Sequence, residues 1–171
     1  MKIAIIGKMG SGKTTLAKYI KNNYNYKILS FANPVKKYAN EIFNIKVKDR
    51  AILQDFAQKI KEIDPDVWVN YLIRQITTDN IVVDDLRFPN EYDALKKLGF
   101  IFIKLEIEPE FQNQRLKETY KTSYKEHIKR QYDVSESHIS NLIEDYTFKV
   151  NSNTQDKVFI FIDNILQRIK E

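Results

Sequence analysis

Gly7-Lys8-Met9-Gly10-Ser11-Gly12-Lys13-Thr14 sets three glycines, a lysine and a hydroxyl at a spacing suited to holding a polyphosphate. The glycines permit tight turns that face successive backbone N–H groups inward as an anion nest at the start of a helix. Lys13 can reach the β- and γ-phosphates, the Thr14 hydroxyl can ligate Mg²⁺, and Thr15 adjoins them. Of the four glycines only Gly99 lies elsewhere, so glycine is used almost solely in this loop. A second cluster of chemistry comes at Asp84 and Asp85, carboxylates that close an apolar run and could hold a metal or orient an acceptor. Arg87, two residues on, can grip a phosphate with two parallel hydrogen bonds. Adjacent strand residues point to opposite faces, so one of the two aspartates faces the metal, and the spacing leaves open which.

These residues need elements to position them. Residues 1–6, apolar but for Lys2, read as a strand entering the glycine loop, and Leu16, Ala17, Tyr19 and Ile20 mark the helix that follows. Residues 26–31 predict a second strand, and Asn33-Pro34 predicts the N-cap and first turn of a helix reaching Phe43. Helical periodicity over 50–63, and again from Asp64-Pro65 to Ile76, predicts a helical insertion at about 32–78, ahead of a third strand at 80–84. Beyond it the pattern predicts a helix at 90–98, a strand at 100–107, helices at 109–120 and 135–143, a strand at 146–150 and a last helix at 155–169. Continuous apolar strands alternating with helices predict an α/β, three-layer P-loop fold: a five-stranded parallel sheet covered on both faces, with ligand at the strands' carboxyl ends.

The chain's 171 residues fit one domain, and 43% hydrophobic with 30% charged residues is a globular balance without linker, repeat or low-complexity segment. The N-terminal apolar run is too short for a signal or membrane-spanning segment. The absence of cysteine excludes disulfides, thiolate nucleophiles and zinc–thiolate sites, and a cytoplasmic location is expected. A net charge of +5 fits an anionic partner, either phosphates in a cleft or nucleic acid, although the abundance of Lys, Ile, Asn and Tyr also fits an AT-rich coding sequence. His127 and His138 lack paired ligand spacing and read as surface residues.

The segment Val82-Val83-Asp84-Asp85-Leu86-Arg87-Phe88-Pro89-Asn90-Glu91 resembles the strand-three signature Asp-x-Arg-Phe-x-Asn-Glu of bacteriophage-type deoxynucleoside monophosphate kinases. The resemblance implies that ATP and Mg²⁺ are used, that Asp85 and Arg87 serve the acceptor and its phosphate, and that Glu91 supports Arg87. Phe31-Ala32-Asn33-Pro34-Val35-Lys36, Leu53-Gln54 and Asp66-Val67-Trp68-Val69 are similar to the same family, which places Phe31, Lys36, Arg50, Gln54, Lys61 and Trp68 in the acceptor pocket. Ser135-Glu136 and 145–151 resemble its closing segment, so Asn151 joins the ATP site. Relatives tend to carry a Gly and an Arg between Gln54 and Trp68; here Ala57 and Lys61 stand, and a lysine lacks the planar two-pronged grip. Phe31, Tyr38, Trp68 and Tyr71 are candidates to stack on a base, with core packing as the alternative.

Such kinases also close a basic lid over ATP. A lid at about 119–134 would carry Lys121, Lys125, Lys129 and Arg130, with Gln112 and Arg115 just ahead of it, making Arg115 and Arg130 candidates for stabilising the transferring phosphoryl group. The expected partners are ATP and a nucleoside monophosphate, with no membrane or stable nucleic acid and with a homodimer as one open oligomeric state. Two other readings stay open. One is a related small-molecule kinase of the dephospho-CoA or phosphomevalonate type, which Gln112-x-x-Arg115 also resembles. The other is a nucleic-acid-associated ATPase, suggested by Lys and Arg interleaved with Tyr over 117–132.

Overall fold

The computed structural model describes residues 1–45, 50–121 and 138–168. Its strands are β1 (Lys2–Gly7), β2 (Lys27–Leu29), β3 (Ile81–Val83), β4 (Phe100–Ile107) and β5 (Tyr146–Val150). Its helices are α1 (Lys13–Tyr24), α2 (Ala32–Phe43), α3 (Arg50–Ile63), α4 (Val67–Arg74), α5 (Pro89–Lys97), α6 (Pro109–Tyr120) and α7 (Val158–Arg168). The strands form one five-stranded sheet in the order β2-β3-β1-β4-β5, and every neighbouring pair is parallel. The expected sheet is therefore observed. No helix among the described residues is long and apolar enough to cross a membrane.

The period of two along the strands builds both faces of the core. Ile3 and Ile5 of β1, Val82 of β3 and Ile103, Leu105 and Ile107 of β4 face α1, α6 and α7, where Leu16, Ile20, Phe111, Ile162 and Leu166 complete a buried cluster. Ala4, Ile6, Ile81, Val83, Phe100 and Phe102 point the other way, onto Val69 and Leu72 of α4 and Tyr92 and Leu95 of α5, with Ile139 and Leu142 closing that layer. On the first face Tyr19 and Tyr24 donate to the Asp163 carboxylate at 2.9 and 2.7 Å, and Tyr19 stacks on Phe159 with ring centroids 4.4 Å apart. These contacts tie α1, the helix that the glycine loop enters, to α7. The bond to Asp163 pushes the Tyr24 hydroxyl up to about 12.

Three helix starts differ from the periodicity. α2 begins at Ala32, ahead of the expected Asn33 cap, because its first donors are met from another element: the Asp85 carboxylate accepts the N–H groups of Phe31 at 3.0 Å and Ala32 at 2.9 Å. Asp64 and Pro65 form a turn ahead of α4 instead of its first turn, with Asp64 Oδ1 accepting the Asp66 N–H at 2.9 Å. The last helix is entered through a 3₁₀ turn at Gln155–Lys157.

β1 lies between β3 and β4, so the chain leaves β1 toward one edge of the sheet and crosses from β3 to β4 toward the other. The carboxyl ends of β1 and β3 open at that reversal, where ligands of such sheets bind. Ile103 is fully buried at the centre of β4, and its truncation leaves a cavity the sheet cannot close. Ile103→Ala is predicted to lower unfolding free energy by about 2–5 kcal/mol in a denaturant titration, and a loss below about 1 kcal/mol would contradict this core assignment.

Candidate functional site

The loop between β1 and α1 sets the site. Gly12 adopts φ +95°, a left-handed conformation costly for any side chain, and serves as the N-cap residue of α1. At Gly7 the demand is space, since a Cβ there would lie 2.6 Å from Ser11 Oγ and 2.7 Å from the Leu105 carbonyl oxygen. The loop thus packs flush against β4. Lys13 folds back across it, Nζ donating to the carbonyls of Gly7 at 2.5 Å and Lys8 at 2.9 Å. Ser11 is buried beneath the loop, and its Oγ has no hydrogen-bond partner among the described residues.

A cleft of about 900 Å³ opens from this loop over the carboxyl ends of the sheet. Met9, Gly10, Gly12, Lys13, Thr14 and Thr15 line it, with Arg115 beside them. Asp84, Asp85 and Arg87 line it as well, as do Phe31, Lys36, Lys61, Trp68 and Glu91, with Ala57 and Phe88 among them. Most residues expected from the sequence therefore meet in one cleft. Gln54 does not: it is exposed on α3, and that helix presents Ala57 and Lys61 to the cleft instead. Gly7, Lys8 and Ser11 belong to the loop but do not line the cleft. Asn151 lies outside the cleft wall, its side chain bound to Glu108 at 2.7 Å and to the turn around Thr154. Arg50 opens α3, but its side chain lies outside the described residues, as do Lys125, His127, Lys129, Arg130, Ser135 and Glu136 and most of the expected lid.

The two aspartates, just past the end of β3, bond to different elements. Thr14 Oγ1 donates to Asp84 Oδ2 at 2.8 Å, so a hydroxyl and a carboxylate converge beside the phosphate loop. These are hard oxygen donors of the kind Mg²⁺ takes when it keeps waters and substrate phosphates as its other ligands, so the residues present fit that ion. At Asp85, Ser30 Oγ donates at 2.6 Å in addition to the two backbone N–H groups of α2. Burial pushes the Asp85 carboxyl above the usual carboxylate range, while those three hydrogen bonds oppose the rise.

Glu91 supports the next turn. Its Oε2 accepts the N–H groups of Arg87 at 2.9 Å and Phe88 at 3.0 Å, so its support of Arg87 runs through the backbone. Pro89 opens α5, and the link from Glu91 back to Phe88 is half of a capping box. Lys61 Nζ sits 4.3 Å from the centre of the Phe88 ring, bringing a cation to the same wall. Trp68 donates its Nε1 to the Ala57 carbonyl at 3.2 Å and is buried, as is Phe31. Both rings still line the cleft, whereas Tyr38 and Tyr71 pair with each other, hydroxyls 3.2 Å apart, away from it. His138 packs on Phe88, ring centroids 6.0 Å apart, and stays partly exposed.

One contact was not foreseen as part of the site. Gln112 is buried and donates Nε2 to the Met9 carbonyl at 2.8 Å, while Arg115 donates Nη1 to the Gly10 carbonyl at 3.0 Å. The signal was present in the spacing: residues three apart on α6 share a face, so the position of Arg115 implied that of Gln112.

A parallel sheet with this strand order, a glycine loop leaving β1 into α1, and a Thr–Asp pair between the start of α1 and the end of β3 define the class as a P-loop nucleotide-binding fold. Residues 3–145 match the family model described as AAA domain, and the chain belongs to that family. Among curated proteins it is 28% identical to the "Putative deoxynucleotide monophosphate kinase" of Acanthamoeba polyphaga mimivirus, a match covering 61% of this chain and 72% of that protein. It is 26% identical over 103 residues to the "S-adenosylmethionine-dependent nucleotide dehydratase" of Lacinutrix mariniflava, covering 60% of this chain but only 19% of that protein. The solved shikimate kinase from Bacteroides thetaiotaomicron shares the fold with a TM-score of 0.60 over 98% of each chain at 15% identity.

Burial lifts the Glu91 carboxyl to about 7, with Asp85 adding to the rise and the bonds from Arg87 and Phe88 and the charge of Lys61 opposing it. The folded state therefore holds a proton that the unfolded chain, with its ordinary value near 4.5, releases earlier. This contribution is full below about pH 4.5 and is lost as pH rises through about 7, a swing on the order of 3 kcal/mol. Glu91→Gln is predicted to remove that slope from the pH dependence of denaturant stability between those limits. Parallel curves for the variant and the parent would contradict the assignment.

Proposed function

We propose that this chain is an ATP-dependent small-molecule kinase that transfers the γ-phosphoryl group of Mg-ATP to the 5′-phosphate of a (deoxy)nucleoside monophosphate. The observation that carries this reading is that one cleft is lined both by the phosphate loop and by Arg87, Lys36 and Lys61 together with Phe31 and Trp68. An acceptor carrying both a dianion and a flat base answers the cations and the rings of that lining. The strand-three signature and the printed name of the mimiviral relative support the same acceptor class.

In this reading the N–H groups of the loop and Lys13 hold the β- and γ-phosphates, while Arg87, helped by Lys36 and Lys61, holds the acceptor phosphate. Thr14 and Asp84 hold Mg²⁺, which when bound neutralises charge on the phosphate oxygens. Asp85 fixes the β2–α2 turn and with it the wall bearing Phe31 and Lys36. Arg115 meets the loop where charge develops on the transferring group, and Arg130 remains a proposed lid cation. The acceptor's phosphate oxygen is already an anionic nucleophile at neutral pH, so the protein needs to position and neutralise rather than abstract a proton. No side chain forms a covalent intermediate.

The test is ADP release with Mg-ATP and each deoxyribo- and ribonucleoside monophosphate as sole acceptor. Release dependent on at least one of them is expected, and silence with all of them would overturn the reading. Lys13→Ala is predicted to lower turnover ~100-fold or more with the fold intact. Arg87→Ala should chiefly raise the acceptor's KM; a change confined to the KM for ATP would misplace the acceptor.

A further inference from the structure

Asp85 and Glu91 line the same cleft as Lys36, Lys61 and Arg87, and no ion pair holds either carboxyl among the described residues. Hydrogen bonds meet them differently. Asp85 receives three, shared over both of its oxygens. Glu91 is 5% exposed, and its two, from the N–H groups of Arg87 and Phe88, both fall on Oε2. Oε1 accepts none from the described residues and is not sealed from solvent. Asp85 raises the cost of a negative charge on Glu91, and Lys61 of α3 lowers it. Arg87 and Lys36 of α2 share the cleft, His138 packs on the Phe88 ring, and Asp66 at the start of α4 accepts from Asn90. The core beneath α5 is apolar. Burial outweighs the favourable contacts and leaves the Glu91 carboxyl at about 7, where a modest change of field decides whether it is charged.

A phosphate dianion entering among these cations changes that field in two ways. It adds negative charge near a carboxyl in a water-poor site, and it engages the Lys61 ammonium whose charge had favoured the ionised form. Both changes act in the same direction. We propose that Glu91 matches the charge of the acceptor site to the acceptor: the phosphate dianion binds the form with Glu91 protonated, so acceptor binding above neutral pH takes a proton from solvent onto this carboxyl. The proposal rests on the acceptor reading above and deepens it by making acceptor affinity depend on one proton at one residue. In the neutral acid Oε2 still accepts from Arg87 and Phe88, while the proton sits on Oε1, the oxygen those bonds leave unused. The turn carrying Arg87 is therefore held in either charge state, and only the charge changes.

The experiment titrates the full chain calorimetrically, at about pH 8 in buffers of different ionisation enthalpy, with a nucleoside monophosphate that supports ADP release. The free phosphate is already a dianion there, so the acceptor itself needs no change of protonation. The parent is expected to take up close to one proton per acceptor bound, with Kd rising toward 10-fold per pH unit between about pH 7.5 and 8.5. Glu91→Gln keeps a carbonyl oxygen for the two N–H groups and stands in for the neutral acid. It is expected to take up no proton, to lose the pH slope and to bind the acceptor at pH 8 at least as tightly as the parent. A residue that only braced the turn would weaken binding on substitution and leave the proton count unchanged. His138 is the other nearby side chain of a type that exchanges protons near neutrality, and His138→Asn should retain the uptake. Without any variant, the Glu91 ¹³C carboxyl resonance of the parent at pH 8 should move to its protonated position when the acceptor binds. Uptake near zero in the parent, uptake that survives Glu91→Gln, or a Glu91 resonance that stays ionised in the complex would overturn the proposal while leaving the acceptor reading standing. Absence of any accepted nucleoside monophosphate would overturn both.

Discussion

A loop that turns its N–H groups toward an anion must turn its carbonyls somewhere else, and those carbonyls then need donors of their own. Much of this molecule is arranged around that requirement. Lys13 takes the carbonyls of Gly7 and Lys8, Gln112 takes that of Met9, and Arg115 takes that of Gly10. The donors arrive from two directions because α1 and α6 pack on the same face of the sheet, sharing a core with β1 and β4. The flush packing of Gly7 on Leu105 is the same constraint expressed in space: the loop can curl over the sheet only where no Cβ intervenes.

The rest of the cleft follows from β3. Consecutive aspartates just past its end bond to different neighbours, so one strand terminus ties two elements to the cleft. Asp84 meets Thr14 across the gap from β1, while Asp85 satisfies the first donors of α2 and holds the Ser30 hydroxyl. The carboxylate that fixes the start of α2 thus belongs to the residue next in sequence to the one beside the phosphate loop. Glu91 extends the pattern one turn further by holding the backbone that carries Arg87.

The sheet and the loop were legible because each rests on local rules: apolar runs of strand length, a glycine spacing that only a tight turn demands, and helical periodicity. β4, β5, α3 and α6 begin and end where the pattern placed them. What escaped the sequence depends on contacts between distant residues. The start of α2 is set by Asp85, more than fifty positions away, and no reading of Asn33-Pro34 could supply that donor–acceptor match. Gln54 was placed in the pocket by resemblance, yet α3 turns Ala57 and Lys61 there. Gln112 was read with Arg115 as part of the group closing over ATP, but its burial and its bond to the Met9 carbonyl follow from how α6 docks on the loop.

The account turns on where the transferred phosphorus ends. A ³¹P NMR time course of Mg-ATP, the enzyme and an accepted nucleoside monophosphate reads this directly. The account predicts a new phosphorus resonance split by coupling to a second phosphorus on the acceptor, growing in step with ADP. A second unsplit monoester signal growing beside the acceptor's own would place the phosphoryl group on a hydroxyl, and growth of orthophosphate with the acceptor signal unchanged would place it on water; either result would contradict the account.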